Sequence, residues 1–160
     1  FSPGMLRLAN AKIKAAVPSG RTALLAADAF DLPFAAGCFD AVTIAFGIRN
    51  IADKRTVLDV FRDQLKPGGM LLVLELSTPE KGLMRRLYLF YFRKILPLVG
   101  GFFSKNERAY EYLPASVLKF PKAAEFAAMM RRAGFGGVRW QPLTLGIVTL
   151  YRGRKPLDRR

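Results

Sequence analysis

The stretch from Asp40 to Asn50, DAVTIAFGIRN, is an apolar run that ends in a guanidinium and a carboxamide, Arg49 and Asn50. Arginine offers five donors and no acceptor, and an amide offers both, so the two side by side require polar partners. Asp28 closes a second apolar run, TALLAA. Its carboxylate only accepts hydrogen bonds and can take one from an exocyclic amine such as that of adenine, while the following backbone N–H, at Ala29, can donate to a ring nitrogen. The same pair is also what an Asx-turn opening the loop to Leu32-Pro33-Phe34 requires. Glu75 and Ser77 close a third run, where a glutamate ends a strand by solvation or pairing more readily than by catalysis. Ligands of open parallel sheets bind beyond the carboxyl ends of the strands, so these three ends are expected to converge on one crevice.

The elements that must position them follow from pattern. Ser2-Pro3 reads as a helix start, with Met5, Leu6, Leu8, Ala9 and Ile13 as its apolar stripe and Pro18-Ser19-Gly20 as its end. Thr22–Ala27 and Ala41–Phe46 are expected as strands, the second apolar on both faces apart from Thr43, as in a parallel strand covered by helices. Asp53 caps a helix over residues 54–65 carrying Val57, Leu58, Val60, Phe61 and Leu65, and Pro67-Gly68-Gly69 stops it. Met70–Leu76 reads as a fully apolar strand. Residues 83–103 read as a helix with Arg85, Arg86, Arg93 and Lys94 on one half, interrupted by Leu89 and Phe90. Tyr110, Tyr112 and Leu113 fall in a short helix or loop. Pro121 opens a helix ending at Ala133-Gly134, and residues 137–141 and 144–151 read as two closing strands before a basic tail. The order predicts an α/β fold whose parallel sheet is finished by a hairpin-like pair, in one domain over residues 1–160.

Composition bounds the chemistry. The 160 residues carry 51% hydrophobic side chains, enough to bury a core. A formal charge of +14 favours anionic partners such as phospholipid headgroups, nucleic acid or phosphorylated ligands. With one cysteine, Cys38, and no histidine, an internal disulfide is excluded and metal or Ser-His-Asp chemistry loses its commonest residue. A reducing compartment and a metal-free mechanism are expected, and no run is long and apolar enough for a membrane span.

Taken together, FDAVTIAFGIRN, LKPGG and LVLELS, with DAFDLPF before them and YEYLPASVLKFP and LTLGIVTLYRGRK after, resemble the ubiquinone and menaquinone biosynthesis C-methyltransferases. DAFDLPF and LKPGG alone would indicate only a class I methyltransferase; GIRN with YEYLPAS and LTLGIV is more specific. The chain departs from the family pattern at Asp63-Gln64, where Arg-Val is usual, and at Tyr151, where histidine is frequent. The resemblance implies the C-terminal two-thirds of a Rossmann-like class I methyltransferase fold, a mostly parallel sheet with an antiparallel terminal strand. FSPGMLRLA resembles the segment that follows the family's ribose-binding acid. The glycine-rich loop, an early tyrosine motif and that acid are therefore expected upstream of Phe1, and the chain alone is expected to be inactive and to bind cofactor weakly.

The implied activity is transfer of a methyl group from S-adenosylmethionine to a ring carbon of a polyprenyl quinol. Asp28 and Ala29 would contact the adenine, and Ala45, where some members carry serine, would lie against the cofactor. Arg49 would stabilise a phenolate and Asn50 orient it or a water, with the proton leaving through water or a carboxylate. Pairing of Arg49 with Asp53, or capping of a nearby carbonyl, is the structural alternative. The expected setting is cytoplasmic, peripheral to an anionic membrane surface, with a homo-oligomer allowed and no nucleic acid. Two rival readings are a class I methyltransferase with another small-molecule acceptor and a non-catalytic basic nucleic-acid-binding fragment. Against the second, the aromatic residues sit in apolar runs rather than on a stacking platform.

Overall fold

The computed structural model describes residues 3–16, 22–79, 82–91, 95 and 107–157. The chain divides into two compact units, Phe1–Phe34 and Ala35–Arg160.

In the first unit, helix α1 spans Pro3–Ala16, with proline at its first position, where the missing N–H costs no hydrogen bond. Leu6, Ala9 and Ile13 form its half-buried face, whereas Met5 and Leu8 are exposed. The strand expected over Thr22–Ala27 is not formed. Those residues carry no regular structure, and among the described residues of the unit a single bridge joins Asp28 to Asp31. A short apolar run becomes a strand only where a ladder satisfies its backbone groups, and no described strand pairs with this one.

The second unit is built on a four-stranded sheet of order β1-β2-β4-β3. Its strands are β1 (Phe39–Ala45), β2 (Leu65–Leu76), β3 (Gly136–Leu143) and β4 (Val148–Arg154). β1 pairs parallel with β2, and β4 runs antiparallel to both β2 and β3. Three strands thus share one direction, and the terminal strand inserts against them, as expected. Helix α2 (Lys54–Gln64) connects β1 to β2 and is capped as read: Asp53 Oδ1 accepts from Thr56 N at 3.0 Å, and Thr56 Oγ1 donates to Oδ2 at 2.6 Å. Helices α3 (Gly82–Phe90), α4 (Glu107–Lys119) and α5 (Ala123–Arg132) follow β2. Of the basic arc, Arg85 and Arg86 are exposed on α3, while Arg93 and Lys94 lie outside the described residues.

Two expectations about the strands are corrected. β2 does not begin after Pro67-Gly68-Gly69 but runs through it from Leu65, which pairs with Phe39 before a register shift. Proline has no N–H to give a ladder, so the segment forms an irregularity. Gly69 permits it, because a Cβ there would sit 2.9 Å from the Lys66 carbonyl oxygen. Nor are the strands covered on both faces. Along β2, Leu71, Val73 and Glu75 are buried, as is Ser77 just past its end, while Met70, Leu72, Leu74 and Leu76 are only partly so. β1 has β2 as its sole described partner and keeps Ala41, Thr43 and Ala45 exposed.

The buried face carries the core. Val57, Leu58 and Phe61 of α2, Phe126, Ala127 and Met130 of α5, and Tyr151 of β4 close over Leu71 and Val73. Phe126 packs edge-on against Tyr151 at 4.8 Å between ring centres and against Phe120 at 5.1 Å. Full burial of each large apolar side chain contributes about 1.5–3 kcal/mol. A smaller cluster joins Tyr88 of α3 and Val117 of α4 to Leu76, Leu113 and Ile147.

Burial pushes the Tyr88 phenol up from 10.0 to about 12. The folded state therefore favours the neutral phenol, so this contribution is complete below the unfolded value and is lost as pH rises through the folded one. We expect Tyr88→Phe to remove part of the alkaline loss of stability between about pH 10 and 12, measured by urea unfolding. Superimposable wild-type and variant profiles in that window would contradict the placement.

Candidate functional site

β1 ends at Ala45, and Phe46 continues the ladder by donating its N–H to Leu74 O at 2.8 Å. Phe46 then turns the chain with a φ of 55°, a conformation that costs a non-glycine residue about 1–3 kcal/mol. A single 3-10 turn over Ile48–Asn50 follows, pinned by fully buried Ile48. Positive backbone angles outside glycine cluster where surrounding structure dictates them, and here the dictating group is one carboxylate.

Glu75 is completely buried. Its Oε1 accepts from Arg49 Nη1 at 2.8 Å and from Leu76 N at 2.9 Å, and its Oε2 accepts from Arg49 N at 3.1 Å. Arg49, only 11% exposed in its side chain, also donates from Nη1 to Phe46 O. Side chain and main chain of one residue thus clasp the same carboxylate, and the turn's position is set by it. The guanidinium Nε–H is buried without a hydrogen-bond partner among the described residues. A buried donor left unmade carries a desolvation cost that the rest of the clasp must offset.

The neighbours complete a polar rim. Tyr112 of α4 donates its hydroxyl to Asn50 Oδ1 at 2.8 Å, which orients that amide. Lys54 Nζ donates to Ile51 O at 2.7 Å and lies 5.9 Å from the centre of the Phe120 ring. Burial lowers the Lys54 pKa, against the opposing pull of the Glu75 charge. Ser77, two residues beyond Glu75, shares a 2.8 Å hydrogen bond with Thr149 and donates to Gly146 O at 2.9 Å.

The second and third strand ends therefore meet as expected, at Arg49, Asn50 and Glu75. Arg49 pairs with Glu75 rather than Asp53, which is engaged in capping α2, and it also caps a carbonyl, that of Phe46. Glu75 belongs to the site as the partner of Arg49, the role its chemistry favoured. Tyr112 was missed; its motif YEYLPAS had no assigned contact, and only the fold brings it to a residue 62 positions away. Asp28 and Ala29 belong to the first unit, where Asp28 Oδ1 accepts from Phe30 N at 2.9 Å in the Asx-turn arrangement. Oδ2 of Asp28 makes no hydrogen bond among the described residues and is open to a donor such as an exocyclic amine. Ala45 is exposed at the end of β1 and offers no polar side-chain atom.

The chain is 46% identical over 155 residues to the ubiquinone/menaquinone biosynthesis C-methyltransferase UbiE of Geotalea daltonii, covering 97% of this chain and 66% of that protein. It is 46% identical to the demethylmenaquinone methyltransferase of Thermus thermophilus, covering 98% of this chain and 70% of that protein. The chain thus spans about two thirds of the length of these curated relatives, and 61% of a third, from Geobacter sulfurreducens. Among solved structures it superimposes on the [4+2]-cyclase SpnF with a TM-score of 0.67 at 17% identity, covering 98% of this chain and 64% of that one. A SAM-dependent methyltransferase from Thermotoga maritima gives 0.54 at 19% identity, covering 82% and 62%. Likeness at such low identity speaks for the fold alone, that of the class I methyltransferases. The model of the ubiE/COQ5 methyltransferase family matches residues 1–155, and the chain belongs to that family.

Proposed function

We propose that this chain serves an S-adenosylmethionine-dependent C-methyltransferase that methylates a ring carbon of a polyprenyl quinol, demethylmenaquinol or 2-polyprenyl-benzoquinol, in menaquinone or ubiquinone biosynthesis. The observation that carries the reading is Arg49 clasped to buried Glu75 at the end of β1, beside an Asn50 amide oriented by Tyr112. The names of its relatives support the substrate class. A neighbour solved with the demethylated cofactor, PigF with SAH, supports the donor.

The bound donor supplies an electrophilic methyl group on a sulfonium sulfur. On the acceptor, loss of the phenolic proton to water makes the adjacent ring carbon nucleophilic. That carbon bonds the methyl as the carbon–sulfur bond breaks, the ring proton leaves to restore aromaticity, and the oxygen is reprotonated, releasing one proton net. A guanidinium has five donors and no acceptor, so Arg49 serves as a donor and not as the base. Because Glu75 already balances its charge, its contribution is a directional hydrogen bond to the phenolate oxygen from a guanidinium N–H not spent on Glu75 or Phe46, placed before the charge develops. Asn50, held by Tyr112, orients the same oxygen or the water that takes the proton. Asp28 and the Ala29 N–H would hold the adenine, and the backbone near Ala45 would border the cofactor.

The hydrophobic acceptor gives α3 a role. Leu83, Leu87 and Phe90 project at helical spacing with 70%, 53% and 59% exposure, beside exposed Arg85 and Arg86. This surface suits an anionic bilayer, where the apolar residues enter the interface and the arginines meet headgroups. No described helix is long and apolar enough to cross one.

In a complete family chain carrying these residues, Arg49→Ala is expected to lower kcat by about 10²–10³ while the dissociation constant for S-adenosylmethionine changes by less than about threefold. Equal losses in both would contradict the role of Arg49. For α3, co-sedimentation with phosphatidylglycerol vesicles should fall sharply on Leu87→Glu and in high salt; undiminished binding in both cases would remove the membrane contact.

A further inference from the structure

Beyond Ser77, on the buried face of the sheet, opens a cleft of about 880 Å³, within the range of small-molecule sites. Its walls include Leu89, Leu118, Phe120, Trp140, Pro142 and Leu145. Ser77, Gly146 and Thr149 also line it, and there Ser77 Oγ donates to Gly146 O and shares a hydrogen bond with Thr149 Oγ1, so both hydroxyls are engaged. Charges occur at exposed positions and with both signs, as Arg85, Lys122 and Glu125. The apolar side chains grouped in its wall suit an apolar occupant, with Thr78, Arg85, Lys122 and Glu125 as the polar part of the lining.

The backbone at the cleft reinforces this. Thr144 and Leu145 take φ of 47° and 57°, a region that L side chains with a Cβ rarely occupy. Leu145 is held in that conformation with 74% of its surface exposed. A turn relaxed by glycine would not present an isobutyl group there, and strain of this kind recurs at ligand clamps.

Position identifies the occupant. Ser77, one residue beyond the end of β2, lies two residues past Glu75 and is buried like it, a rise of about 7 Å. A ring held at Arg49 therefore has the cleft within reach of its substituent. We infer that the cleft receives the isoprenoid chain of the acceptor and acts as a tail-binding subsite contiguous with the Arg49–Glu75 pair. The assignment of the chain to a quinol rests on the function proposed above; the fit of the cleft to an apolar chain rests on its apolar side chains.

Trp140 is the only tryptophan in the sequence and lines the cleft, so intrinsic fluorescence reports on it directly. Farnesol, a free isoprenoid chain with no ring, titrated into the 160-residue protein should give a saturable blue shift of Trp140 emission. Leu118→Glu should weaken that binding about tenfold or more, as expected for a buried charge against an apolar ligand. Leu145→Asp, at a side chain too exposed to support the core, should do the same with an unchanged melting temperature. Absence of saturation, affinity indifferent to both substitutions, or displacement of farnesol by inorganic phosphate would overturn the assignment, the last by revealing an anion site. In a complete family chain, Leu145→Asp should raise KM for a prenylated quinol and leave turnover of menadiol, which lacks a tail, unaltered; equal effects on both would also overturn it. Failure of every quinol to accept a methyl group would instead remove the proposed function, with the farnesol titration still deciding the cleft.

Discussion

A fully buried carboxylate fixes the working end of this sheet. Glu75 sits on the inward face of β2, where an unpaired charge would be strongly destabilising, so partners must be brought to it. They come from the end of the adjacent parallel strand: the backbone N–H of Arg49 takes one oxygen and its guanidinium the other. The backward turn at Phe46, the 3-10 turn and the burial of Ile48 are all needed to deliver both groups together. Replacing such a pair by apolar residues often leaves stability unchanged, whereas removing one partner costs about 3–5 kcal/mol. The pair is thus better understood as a positioning device than as a source of stability.

What it positions is an arginine with little net charge to contribute and one buried donor unspent. In the function proposed above, the chemical emphasis then shifts from an attracting cation to a fixed hydrogen bond given to a developing oxyanion, which a preorganised site provides without reorganisation during reaction. The surrounding helices divide the remaining work. Tyr112 of α4 orients Asn50. α3 presents three kinds of surface: Tyr88 buried against Val117, Leu89 and Arg85 at the cleft, and Leu83, Leu87 and Phe90 to the outside.

Local signals were legible in the sequence where local physics decides. Asp53 three residues before Thr56 announced the start of α2, and the run of helices and strands announced a parallel α/β sheet with a reversed last strand. The polar ends at Asn50 and Glu75 were also legible, because a charge closing an apolar run is conspicuous. Their partnership was not. Arg49 had a sequence neighbour in Asp53 that looked equally suitable, and only the parallel register of β1 and β2, with Ala45 opposite Leu74, makes Glu75 the nearer acceptor. The strand expected at residues 22–27 failed for the complementary reason, since its composition permits a strand but pairing alone creates one. Pro67-Gly68-Gly69 read as a stop because its residues break regular structure, yet glycine's lack of a Cβ is what lets β2 pass close to Lys66 there.

The central claim is that Glu75 holds Arg49. A double-mutant cycle of Glu75→Gln and Arg49→Met, read by urea unfolding, tests it most directly. Two groups coupled in a buried pair should show an interaction energy of about 1.5–3 kcal/mol, with the double variant less destabilised than the single changes summed. A coupling below about 0.5 kcal/mol, the behaviour of a surface ion pair, would mean that the arginine is positioned by something else.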